Sequence, residues 1–199
     1  AFGRIFSDAS RRTRTCAQAR RSLVLCESPI PPPTRLFIQP RPRMPTTSTT
    51  EINQLLSPDR IRIGLPGTSK ADVINALVDV LAGHPAIDSI ETVRRAIFSR
   101  EEMMSTGVGK GLGLPHAKTD AAQETIAAFA TTERPVEFGA IDDEPVHLLL
   151  LLVGPEADKS HHIKILGRIS RLVSRDDLRS ELRDAASADD VLRLLKDGE

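Results

Sequence analysis

The chain has 199 residues, long enough for one domain with a sizeable core. Its 27 Lys and Arg balance 27 Asp and Glu, and aromatic residues make up only 3%, so the stacking platforms of a single-strand nucleic-acid binder are missing. The neutrality hides an asymmetry: residues 1–43 hold nine Arg against Asp8 and Glu27, a net of about +7, and the remainder carries about −7.

A basic arm joined to an acidic domain offers no basic stripe for nucleic acid, and none is expected as a partner. The longest apolar run, Leu148 to Val153, has the length of a buried strand and falls far short of the roughly 20 residues of a membrane span. Insertion into a membrane is therefore not expected. Both cysteines, Cys16 and Cys26, lie in the arm, so the domain needs no disulfide, which fits a reducing compartment.

Residues 1–50 read as a disordered basic and proline-rich extension, with "RRTRTCAQARR", "ESPIPPPTR" and "QPRPRMP" followed by the polar tract "TTSTTE". Such composition buries too little apolar surface to offset its ordering entropy. Arg and Ser with few acids also suit a transit peptide. Met44 opens a polar lead-in, so an upstream extension without catalytic importance is favoured over a targeting or partner-binding arm.

Residues 51–199 form the domain. "DRIRIGL", Asp59 to Leu65, alternates apolar and polar residues as a strand does. "TSKADVINALVDVLAG" is a helix, with Ser69 and Asp72 at capping-box spacing and Gly83 as a stop. A second helix, "SIETVRRAIFSREE", is framed by Asp88 and Glu91. A glycine run follows, with a short strand over Gly111 to Leu114, and then a strand at Thr125 to Thr132. A turn at Asp142 and Asp143 leads into the aliphatic strand. Unbroken aliphatic runs belong to sheets covered on both faces. From about Asp158 to Lys196 the pattern is helical, and Ser187 with Asp190 caps the last helix. The expected architecture is a single three-layer α/β/α domain around a central mixed sheet.

Five histidines are candidates for chemistry. His84 falls in a helix-exit turn and is expected to be solvated. His147 opens the aliphatic strand as an edge or hydrogen-bonded residue. His116 ends the run "TGVGKGLGLPHAKTD", whose glycines permit backbone conformations and close anion approaches barred to other residues. Pro115 stiffens the entry and keeps Leu114 extended. The residue types alone fit equally a Gly-rich loop carrying an incidental histidine. The run is no nucleotide P-loop, because no Gly-Lys-Ser/Thr follows. At about 100° per residue, His162 lies within about 60° of Leu166, Ile169, Val173 and Ile165, in the apolar stripe at a helix N-terminus where phosphate is favoured. His161 lies toward the stripe's edge. A buried histidine satisfied by a carbonyl would look the same in sequence. Neither an HExxH pattern nor a cysteine cluster accompanies these residues, so no metal is expected.

"SREEMMSTGVGKGLGLPHAKTD" resembles the phosphorylation-site region of the enzyme IIA domains of the bacterial phosphoenolpyruvate:sugar phosphotransferase system, type 2, the fructose/mannitol/nitrogen-regulatory superfamily. Arg100, Thr106, Gly109, Gly111, Pro115 and His116 match that family's pattern. The downstream "FGAIDDEPVHLLLLLVGPEADKSHHIKILGRISRL" resembles its second block, with His162 at the family's helix-opening histidine. The likeness runs from about Ile52 to Leu195.

The resemblance implies a phosphohistidine on His116, with HPr or its nitrogen-branch homologue as donor. It also implies Arg100 as a charge partner of the phosphoryl group and His162 as a hydrogen-bonding or positioning group. Thr106, Gly109, Gly111 and Pro115 would form the phosphate loop, with the glycine-run amides as further donors. No cofactor is required, and the implied location is cytoplasmic. Within the family a nitrogen-regulatory role, acting on a regulated transporter or kinase, is favoured over a fructose- or mannitol-specific component that passes phosphate to a IIB domain. A non-catalytic binding module is a third reading.

Overall fold

A computed structural model of the protein describes residues 52–199. The expectation for the basic arm lies outside the described residues. Six strands form one mixed sheet: β1 (Ile61–Leu65), β2 (Gly107–Gly109), β3 (Leu112–Gly113), β4 (His116–Lys118), β5 (Ile126–Val136) and β6 (Val146–Gly154). Along the main path the order is β1-β5-β6-β3-β2. The antiparallel pair β5 and β6 is the centre, and β1 runs parallel to β5. On the far side β3 and then β4 run parallel to the same edge of β6, with Leu112 opposite Leu148 and His116 opposite Leu152.

Helices cover both faces, as the aliphatic run in β6 predicts. Leu149, Leu151 and Val153 join the core beneath α1 (Lys70–Asp79) and α2 (Ile90–Met103). The alternate residues Leu148, Leu150 and Leu152 pack with α3 (Lys159–Val173), α4 (Asp176–Asp184) and α5 (Ala188–Gly198). A strand's period of two is what lets one run feed two cores.

The caps explain where several helices begin. Ser69 and Asp72 form a reciprocal capping box on α1. Ser187 accepts from the Asp190 amide at 3.1 Å on α5. On α2 the structure corrects the reading of the sequence: Ser89, not Asp88, takes the Thr92 amide, and Asp88 instead accepts from Gln123 Nε2 at 2.8 Å.

Other elements shift as well. α1 ends at Asp79 and continues as turns to Gly83, whose φ is +78°. The strand expected at Gly111 to Leu114 contracts to Leu112–Gly113, because Gly111 turns the hairpin that joins it to β2. β5 runs on to Val136, its register breaking after Thr131 where Pro135 supplies no amide.

Candidate functional site

His116 opens β4 at the rim of the sheet and is half-buried. Its Nδ1 lies 2.8 Å from the carbonyl oxygen of Leu114. A carbonyl only accepts, so Nδ1 carries the proton and the lone pair belongs to Nε2. Pro115 sits within this bend, and its own carbonyl accepts the Leu152 amide at 3.0 Å, fastening the turn to β6. Burial lowers the pKa of His116 below its usual value of 6.5. The Leu114 carbonyl and Glu101 oppose that shift, and Arg100 adds to it. The ring is therefore neutral at physiological pH, as a nucleophile must be.

His162, in the first turn of α3, is 2% exposed, inward as the helical wheel predicts. Its ring centroid stands 6.1 Å from that of His116, with the planes 42° apart. Neither nitrogen of His162 has a hydrogen-bond partner in the described structure. Burial, with lesser effects from His116, Lys118 and His161, holds its pKa down at about 4. Gly154 makes room for this ring, because a Cβ there would lie 3.0 Å from His162 Nδ1 and 2.9 Å from Thr125 Oγ1.

Arg100, in the last turn of α2, donates from Nη1 to the Met104 carbonyl at 2.9 Å and is close enough to act on the charge of His116. Thr106 is buried, and its donors are already engaged. Its amide donates to the Glu101 carboxylate at 3.0 and 3.1 Å, and its hydroxyl donates to the same group. Lys70 completes an ion pair with Glu101 and donates to Ser105 Oγ at 3.0 Å. Burial alone would raise the pKa of Glu101, but Lys70 and Thr106 outweigh it and hold the group ionised. This network pins the segment between Arg100 and β2.

The rest of the glycine run does something other than cradle an anion at His116. Gly107 pairs with Gly113 and Gly109 with Leu112, so the run is a hairpin. The Gly107 amide donates to Ser105 Oγ, Lys110 to Asp142 Oδ2 at 2.6 Å, and Leu114 to the Thr106 carbonyl. Gly109 and Gly111 have φ of +89° and +73° and form the hairpin tip, where Gly111 faces His147 at the opposite end of β6 from Gly154. Of the residues singled out in the sequence, the structure thus gathers His116, His162, Arg100, Thr106 and Pro115, and holds Gly109 and Gly111 apart.

Two residues at the site escaped the sequence reading. Lys118 is two positions beyond His116 on β4, hence on the same face, and its charge reaches His162. It forms a loose ion pair with Glu156 at 4.0 Å. A strand period of two would have flagged it had β4 been recognised. Gly154 carries no local signal of its role. The remaining histidines behave differently: half-buried His84 accepts the Ala86 amide on Nδ1 and abuts Arg60, instead of being simply solvated. Among the described residues no group of three or more His, Cys, Asp or Glu is arranged to hold a metal ion. Nor is any described helix long and apolar enough to cross a membrane.

Fold and site together define an α/β domain that presents a neutral imidazole at a sheet's rim, backed by a second, sealed imidazole, an arrangement suited to carrying a phosphoryl group. Comparisons with known proteins agree. The chain belongs to the family described as "Phosphoenolpyruvate-dependent sugar phosphotransferase system, EIIA 2", which it matches over residues 54–198. It is 33% identical over 147 residues to a nitrogen regulatory protein of Pseudomonas aeruginosa, covering 73% of this chain and 95% of that one. It is 34% identical over 146 residues to a fructose-specific EIIA component of Haloferax volcanii, with coverage of 73% and 95%. The crystal structure of the nitrogen regulatory protein IIA-Ntr from Neisseria meningitidis superposes with a TM-score of 0.69 at 28% identity, covering 72% of this chain and 98% of that one.

Proposed function

We propose that this protein is a phosphohistidine carrier of the nitrogen-regulatory branch, with His116 Nε2 as the phosphorylated atom. The observation that carries the reading is the Nδ1 contact with the Leu114 carbonyl, which leaves Nε2 as the only free lone pair of a half-buried ring. The donor is a phosphorylated HPr or its nitrogen-branch homologue. Its own imidazole stands in line with Nε2 across the phosphorus. The Nε2 lone pair forms the new N–P bond while the donor's N–P bond breaks, its electron pair returning to the donor imidazole. The proton stays on Nδ1, where the Leu114 carbonyl stabilises the positive charge that develops on the ring.

The equatorial oxygens need positive or hydrogen-bonding groups at fixed positions. Arg100 supplies charge from one side. His162 supplies an N–H that has no other acceptor. The roles of Thr106 and Pro115 are indirect: the first locks Glu101 and the second the bend before His116. Gly109 and Gly111 shape the hairpin and have no phosphate contact in this reading. The surroundings suit a visiting protein: Met103 and Met104, just after Arg100, are 75% and 70% exposed, and Ile163, beside His162, is 66% exposed. Methionine adapts to more than one partner surface. The reading implies a cytoplasmic protein.

The test is incubation with phosphoenolpyruvate, enzyme I and the carrier, followed by intact mass and acid lability. A single acid-labile phosphate absent from His116→Ala is expected. No phosphate from cognate donors, or phosphate that survives the substitution, refutes the reading. The similarity to a fructose-specific component favours a second role, delivery to a IIB domain. Onward transfer to a IIB domain in the same assay would establish it.

A further inference from the structure

A second basic site lies away from the histidine pair. Three elements converge on a cavity of about 140 Å³: the β2–β3 turn with Lys110, the start of β6 with His147, and α4 with Arg179, Ser180 and Arg183. Asp176 is the one carboxylate in its lining, and it is ion-paired with both Lys110, at 3.3 Å, and Arg179. Arg179 is fixed further by donation to the Val173 carbonyl at 2.7 Å. The hairpin tip is fixed too: Lys110 holds φ of 56° because Asp142 takes its amide.

Neither fixed point uses up the cavity's other donors. His147 is half-buried, and no described group hydrogen-bonds its ring. Its Cδ2 stands 3.6 Å from where a side chain on Gly111 would begin, in ordinary contact with the hairpin tip. Among the described residues the Arg183 guanidinium pairs with Asp184 alone, at 3.7 Å. Among the described residues the Ser180 hydroxyl has no hydrogen-bond partner.

We propose that this cavity binds the phosphoryl end of a small anion, either inorganic phosphate or a phosphomonoester. Ammonium, guanidinium, hydroxyl and imidazole donors approach from three separate elements, which matches a tetrahedral group with several peripheral oxygens better than a planar carboxylate. The cavity is too small to enclose a nucleotide, so recognition stops at the phosphoryl group. The site is distinct from the carrier site. His147 and Gly154 stand at opposite ends of β6, about 24 Å apart at the rise of a strand.

The probe is inorganic phosphate added to the full chain, followed by nitrogen-15 shifts of the His147 ring and Arg183 Nε. Saturable shifts at both are expected. Arg183→Gln weakens half-saturation about tenfold, the loss of one charge-assisted contact, with acceptance of phosphate by His116 intact. Ser180→Ala, on an exposed helical position, is the second variant should Arg183→Gln unfold, and it weakens binding by a smaller factor. Methyl phosphate discriminates the source: an equal response identifies a phosphomonoester end, and a lost response identifies free phosphate. Shifts that never saturate, that appear only at His116 and His162, or that are unchanged in both variants overturn the proposal.

Discussion

Replacing His162 with Leu should stabilise the protein and, in the proposed relay, slow its acceptance of phosphate. The wild-type ring is buried with two nitrogens lacking partners. Leaving a buried polar group unpaired costs about 1–3 kcal/mol, which an apolar side chain of similar volume does not incur. pH supplies an independent handle. The folded-state pKa is about 4 against 6.5 for a free histidine. Between those values the unfolded chain binds the extra proton, so wild-type stability falls as pH drops from about 6.5 toward 4, at about 1.4 kcal/mol per unit. At pH 5 the loss reaches about 2 kcal/mol, and His162→Leu escapes it. His116 titrates in both proteins, so the comparison isolates His162 together with its coupling to His116. Urea unfolding at pH 7 and pH 5 should therefore show the variant ahead by about 1–3 kcal/mol at pH 7, with the gap widening by about 2 kcal/mol at pH 5. In the proposed relay, phosphate acceptance in the same variant slows by about 10–100-fold. A variant less stable than wild type at pH 7, or a gap that stays constant with pH, refutes the reasoning.

Gly154→Ala drives a methyl against Thr125 and His162, lowering stability by about 1–3 kcal/mol. Adding Thr125→Ala should recover part of the lost melting temperature, and an unchanged melt for the single variant argues against close packing there. Lys118→Met removes a cation near His162 and should slow phosphate acceptance several-fold, with Lys118→Arg restoring it. Equal rates for all three would show that the charge is idle. Glu101→Gln leaves Lys70 without its carboxylate and loosens the segment bearing Arg100, costing about 1–3 kcal/mol once the partial exposure of Lys70 is allowed for. Because the pKa of Glu101 is depressed, the difference from wild type is present near neutrality and shrinks as pH falls through the folded-state value, which acid titration of both proteins would reveal.

The sequence shows its own architecture where periodicity is long and uninterrupted. The run Leu148 to Val153 announces a strand sandwiched between helices, and the wheel around His162 announces its inward direction. Capping signals mark Ser69 and Ser187 correctly because each acts within three residues of itself. At Ser89 the neighbouring Asp88 competes for the same role, and only the distant Gln123 decides between them. The glycine run is where local reasoning fails. Freedom at Gly109 and Gly111 is real, since both adopt positive φ, but it serves a hairpin tip beside His147. Gly107 and Gly113 are glycines for a different reason: a Cβ would fall 2.7 Å from Ala140 Cα or 2.8 Å from Leu149 Cδ2, contacts set by residues about 35 positions away. No property of the run itself distinguishes conformational need from close packing.

The two histidines differ in what phosphorylation would do for each, and that difference bears on why a carrier tolerates an unsatisfied ring. Unphosphorylated, His162 bears the cost of a buried N–H without an acceptor. In the proposed relay, a dianion on His116, whose ring centroid is 6.1 Å away, supplies that acceptor and favours any positive charge on the ring. The same group adds its charge beside Arg100 and Lys118. Part of the destabilisation present in the free protein is thus relieved only in the phosphorylated one. The phosphorylated form gains by that amount relative to a site with a satisfied histidine, so phosphate would leave for a partner more reluctantly than from an exposed imidazole. His162→Leu severs this link: it removes the cost in the free state and the relief in the phosphorylated state together. The variant's N–P bond should therefore hydrolyse faster than that of wild type even as its fold becomes harder to unfold. Hydrolysis no faster than wild type would mean that His162 contacts the phosphoryl group too weakly to matter.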